Sequence, residues 1–94
     1  MVERKPSVDV ISERLAALFS QPFGGKPEGR YRISSKLLRR LAGRRRLYED
    51  DIREISRALS ERGFVLVDMD AYFVVLSAAT FTNYRRANEQ SVDS

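Results

Sequence analysis

The chain has no cysteine, no histidine and no tryptophan. Without cysteine there is no disulfide, no thiolate metal site and no cysteine nucleophile, and nothing demands an oxidising compartment. Without histidine the commonest acid–base group and the commonest metal ligand are missing. Neither a Ser-His-Asp set nor a Cys-His set can be assembled. The residues therefore predict a protein that is not an enzyme and that carries no metal and no cofactor. Long apolar runs are missing too. The longest, at 71–76, is far too short to cross a bilayer. The polar start MVERKPSVDV has no apolar h-region, so no secretory leader is expected there. A cytoplasmic protein with no membrane partner is the expectation.

A further absence is local. Residues 30–46 contain no acid, yet they hold eight cations: Arg30, Arg32, Lys36, Arg39, Arg40, Arg44, Arg45 and Arg46. The net charge of the whole chain is +4, so everything outside this segment sums to −4. That asymmetry points to an anionic partner more strongly than the total does. Lysine is scarce, with only Lys5, Lys26 and Lys36. The cations are thus nearly all arginine, whose planar fork grips phosphate or carboxylate in bidentate fashion.

What is present fits one domain over residues 1–94, with a core at about 8–86 and flexible tails at 1–6 and 89–94. A chain of this length buries only about 60–65% of the surface its unfolded form exposes. Val8, Ile11, Leu15 and Leu18 recur at helical spacing and predict a helix at 8–20, capped by Ser7 or Asp9 and stopped by Pro22. FGGKPEGR at 23–30 reads as a loop. Its GGK is no phosphate-binding P-loop: the spacing lacks the earlier glycine and the following Ser or Thr, and Pro27 blocks a helix start.

Arg30–Ile33 can form a short extended segment. Ser34 or Ser35 then caps a second helix with Leu37, Leu38 and Leu41 inward and Lys36, Arg39 and Arg40 outward. Gly43 suits the left-handed position that closes it. Glu49, Asp50 and Asp51 open a third helix, where acids suit the positive end of the macrodipole. Ile52, Ile55 and Leu59 form its buried stripe, and Gly63 ends it.

FVLVDM at 64–69 and YFVVLS at 72–77 read as strands joined tightly through Asp70-Ala71. The segment 77–88 suggests a short final helix capped by Ser77, returning Phe81 and Tyr84 to the core. Asp68 and Asp70 lie two apart, but a metal site needs more ligands, and a turn that favours Asp explains them.

This α+β order is three helices, a two-stranded antiparallel hairpin and room for a short C-terminal helix. It resembles the winged helix-turn-helix superfamily. The resemblance is carried by Leu37, Leu38, Leu41, Ala42, Leu47, Ile52, Ile55 and Leu59, then SERGFVLV and YFVVL, over about residues 33–77. It implies a nucleic-acid-binding module, double-stranded DNA being the expected partner, with the third helix facing the major groove. Two departures stand out. The third helix begins with three acids, and the hairpin tip Asp68-Met69-Asp70-Ala71 has no cation.

The expected phosphate contacts are therefore Lys36, Arg39, Arg40, Arg44, Arg45 and Arg46, with Arg53 and Arg57 outward on the third helix. The arginines of the 44–46 turn are the leading candidates, because Gly43 already closes the second helix without them. Glu54, Arg57 and Glu61 equally describe an exposed face laced by ion pairs. Two other readings are open. One is a winged-helix interaction module whose arginine patch meets an acidic partner or the acidic helix-three end of a second copy, with helix one or residues 77–88 serving dimerisation. The other is RNA binding, supported by the charge and by Tyr31 and Tyr48.

Overall fold

The computed structural model describes residues 5–93. Ser7 opens α1 (Val8–Phe19), its hydroxyl accepting from the Val10 N–H at 3.2 Å. A four-residue strand, β1 (Tyr31–Ser34), runs directly into α2 (Ser35–Leu41). Ser34 is the cap, accepting from the Leu37 N–H at 3.1 Å. Then follow α3 (Glu49–Glu61), β2 (Phe64–Asp68) and β3 (Tyr72–Ser77). The architecture is mixed α+β.

The two-stranded expectation is corrected: the sheet has three antiparallel strands in the order β1-β3-β2. The segment 31–34 takes the free edge of β3, pairing Tyr31 with Val75 and Ile33 with Phe73. On the other edge Leu66 pairs with Val75, so Tyr31, Val75 and Leu66 form one inward row across all three strands. Onto this face pack Ile11 and Leu15 of α1, Leu38 of α2, and Ile55 and Leu59 of α3. Burying each aliphatic side chain of this kind stabilises by about 1.5–3 kcal/mol.

Polar fastenings set the helix positions. Ser12, fully buried, donates to the Asp9 carbonyl and accepts from Arg62 Nε at 3.0 Å. Arg62 also pairs with Asp9 at 3.0 Å, so the end of α3 is tied to the start of α1. Arg14 donates to the Leu41 carbonyl at the end of α2. At that end the Arg44 N–H reaches the Arg39 carbonyl and the Gly43 N–H reaches the Arg40 carbonyl, a Schellman closure. Gly43 takes φ +65°, and the Pro6 ring lies directly over it.

The β2–β3 turn holds three residues, Met69, Asp70 and Ala71, one more than the two expected. Asp68 accepts from the Asp70 N–H at 2.8 Å, which gives that carboxylate its turn-forming role. The turn is fastened to α2, since Ser35 donates from its hydroxyl to the Asp70 carbonyl and from its N–H to the Ala71 carbonyl.

Four further expectations are corrected. Leu37 is exposed, because the inward stripe of α2 is Leu38, Leu41 and Ala42. Residues 77–88 are not one helix. Ser77 caps a 3-10 turn, Ala78–Asn83, whose Thr80, Thr82 and Asn83 are poor helix formers. Phe81 and Tyr84 do not return to the core; they stack edge-to-face on each other in solvent, with ring centres 5.2 Å apart. The buried core thus ends before residue 78. Glu89–Asp93, expected as a tail, forms a short helix, α4. Residues 1–4 and 94 lie outside the described residues.

Two outcomes test this packing. Tyr31 is 8% exposed and its hydroxyl donates to the Leu15 carbonyl at 2.6 Å. Burial pushes its phenol above the ordinary value of 10.0. The folded chain then holds this proton more tightly than the unfolded chain. The associated stability is complete below about pH 10 and is lost as pH rises through the folded pKa. Tyr31→Phe should cost about 1 kcal/mol at pH 7 and flatten the alkaline fall, both read from urea midpoints between pH 7 and 11. Gly43→Ala places a Cβ 2.9 Å from Pro6 Cδ at a positive φ. A loss of about 1–2 kcal/mol is expected in the same assay.

Candidate nucleic-acid interface

The arginine turn is built by two helix ends. The Schellman closure at Gly43 ends α2, and Asp51, third residue of α3, caps the start of that helix. The Asp51 carboxylate accepts from the Tyr48 N–H at 2.9 Å, the reciprocal bond of a capping box. Its other oxygen takes Arg44 at 3.1 Å, with both side chains three-quarters or more buried. Arg44, expected as a phosphate contact, is thereby given a structural role: its guanidinium is folded back onto the α3 cap.

Arg45 and Arg46 are exposed, and neither has an ion pair among the described residues. They share a concave surface of about 690 Å³ with Lys5, Arg44, Tyr48 and Asp51. Lys5 was not in the expected set. It stands 38 positions before Gly43, and only the seating of Pro6 over that glycine brings it here. Tyr48 is exposed beside the arginines as expected. Tyr31 is not; it is a buried core residue away from the arginine turn.

The remaining cations divide. Lys36 and Arg40 are exposed at i and i+4 on the outer face of α2, with Leu37 between them. Arg39 is half-buried and lies apart from that pair. It lines a groove with Ser35, Leu47, Glu49, Ile52, Asp68, Asp70 and Phe73, between the start of α3 and the β2–β3 turn. Three carboxylates rim that groove against one guanidinium, so a phosphate is disfavoured there. Arg53 and Arg57 are exposed on α3 in a shallow concavity shared with Asp50 and Glu54. Arg53 lies 3.4 Å from Asp50, both well solvated, a pair of little energetic weight. This face is self-neutral. The structure therefore gathers Lys5, Arg45 and Arg46 at the turn, where Arg44 shares their surface but is paired with Asp51; it keeps Lys36 and Arg40 on α2 and sets Arg39, Arg53 and Arg57 among acids.

Among the described residues no group of three or more acids is placed to hold a metal ion. No helix there is long and apolar enough to cross a membrane.

The double use of Asp51 is testable. Asp51→Ala removes the cap acceptor and the partner of Arg44 together, and should lower stability by about 1–2 kcal/mol. Arg44→Gln leaves the cap in place and should cost no more than about 1 kcal/mol. Equal losses in urea denaturation would show that the ion pair, and not the cap, carries the effect.

No protein-family model, no curated protein and no solved structure matches this chain.

Proposed function

We propose that the chain is a small, non-enzymatic DNA-binding module of the winged helix-turn-helix kind, which grips the duplex backbone through the turn between α2 and α3. The element order, helix, strand, two helices joined by a tight turn, then a hairpin, supports that reading. The observation that carries it is the pair Arg45 and Arg46. They are exposed, free of ion pairs among the described residues and joined by Lys5 on one concave surface. Lys36 and Arg40 extend the contact along α2. Acids at the start of α3 and around the hairpin turn oppose phosphate at the two places where base edges and the minor groove would be read. The grip is accordingly non-specific in its main term, driven by release of counterions.

A second reading, association with a partner protein or a second copy, is favoured by the solvent-exposed Phe81, Tyr84 and Val92 of the C-terminal segment.

Titration of a labelled duplex across a salt series separates the two. About four to six phosphate contacts predict a log–log slope of affinity against salt near −4 to −5. Arg45→Ala with Arg46→Ala should flatten it by about 2, with an unchanged melting curve because both side chains are in solvent. Absence of duplex binding at low salt, with a dimer mass in light scattering, would replace DNA binding with the second reading.

A further inference from the structure

Arg30 and Arg32 belong to the acid-free segment, yet the arginine turn does not use them. They line a different concavity, of about 550 Å³, between β1 and the preceding loop. That volume is within the range of small-ligand pockets, roughly 300–1,000 Å³.

The loop is more ordered than its composition suggests. Phe23 and Lys26 exchange both backbone hydrogen bonds, each 3.1 Å, across Gly24 and Gly25. Both glycines have positive φ, +60° and +77°, the requirement of a type I′ hairpin turn. The segment is held at its far end by the Gly29 N–H on the Phe19 carbonyl at 2.9 Å. Phe23 stands edge-to-face on Tyr31, with ring centres 5.5 Å apart and planes at 78°. Tyr31 is itself fixed through its bond to Leu15. In either sense of that T-shaped contact at least one face of the Phe23 ring is not taken by Tyr31, and 43% of the residue is exposed. An aromatic of this kind, standing in solvent on a rigid anchor, serves no core.

Three cations surround it: Lys26, Arg30 and Arg32. None has an ion pair among the described residues. Arg32 lies 5.8 Å over the Tyr72 ring, which orients its guanidinium without neutralising it. Glu28 is the one acid in the lining, so the surface stays net positive. An anionic group paired with a flat ring fits these elements: phosphate to the cations, base to the aromatic face.

We propose that this concavity binds a nucleotide unit, with its phosphate on Lys26, Arg30 and Arg32 and its base stacked on Phe23. The site is separate from the arginine turn and does not rest on duplex binding there. The same chemistry is offered by a free nucleotide and by an unpaired nucleotide within a single strand.

Amide spectra of the ¹⁵N-labelled chain test it, with Gly24, Gly25 and Lys26 as reporters. The probes are AMP, a five-nucleotide oligodeoxyadenylate and inorganic phosphate. AMP should shift the three amides saturably, roughly tenfold more tightly than phosphate, as stacking of one base provides. Phe23→Ala should abolish that advantage. Lys26→Glu, at an exposed position, should weaken both nucleotide probes while the rest of the spectrum stays in place. Tighter binding of the oligonucleotide than of AMP identifies a strand as the ligand, and the reverse order identifies a free nucleotide. Arg45→Ala with Arg46→Ala should leave the AMP shifts intact even where duplex binding is lost. No saturable shift with either nucleotide probe, or equal binding of AMP and phosphate, overturns the proposal.

Discussion

The pairing of four residues, Tyr31–Ser34, with the free edge of β3 is the constraint on which most of the fold depends. A hairpin alone is only marginally stable in water, and a third strand with an apolar face is what lets it stand. This strand does more than widen the sheet. Tyr31 reaches the Leu15 carbonyl and fixes α1. Ile33 enters the core, and Ser34 caps the helix that follows without a connecting loop. Ser35 then fastens that helix to the β2–β3 turn. Detaching β1 would leave α1 without its polar tie to the sheet and α2 without its cap. The loop before it would lose the frame that places Phe23 and Lys26 beside Arg30 and Arg32.

Local chemistry made some of this legible in the sequence. The Ile52, Ile55, Leu59 stripe, the Ser34 cap and the left-handed Gly43 depend on residues within one or two turns of each other. They could be read directly. The third strand could be read only as an extended segment, because its partner lies about forty residues further on and four residues carry no pairing signal of their own. Tyr31 looked like a surface aromatic because it stands among arginines. Strand alternation in fact turns Tyr31 inward and Arg32 outward. Leu37 was misplaced for a similar reason: a three-leucine stretch in a seven-residue helix fits two neighbouring stripes, and only the positions of α1 and the sheet choose between them.

Among the candidate site residues, the charge segment was legible and its partition was not. Arg44, Arg45 and Arg46 are indistinguishable as letters. What separates them is that the Schellman closure aims Arg44 at Asp51, whose carboxylate is already held by the Tyr48 N–H. Lys5 was invisible from spacing, since its arrival depends on a proline ring resting on a glycine. The Phe23–Lys26 turn was hidden inside a segment whose glycines and proline announce only a loop.

The acids at the start of α3 decide how the cations can be used. Their position favours the helix, because the unpaired N–H groups there attract negative charge. The same position divides the surface. On one side of the α3 start lie Lys5, Arg45 and Arg46. On the other lie Glu49, Asp68 and Asp70 around Arg39. The two sets flank the α3 start, with Tyr48 and Asp51 lining one surface and Glu49 and Ile52 the other. By sign of charge alone, the turn favours a polyanion and the hairpin tip disfavours one. On the DNA-binding reading this asymmetry sets the orientation of the duplex: the backbone lies along the α2 side, and the hairpin is held away from the groove. On that same reading the acids at the α3 start disfavour it as the main anion contact, and the arginines that adjoin it take that part.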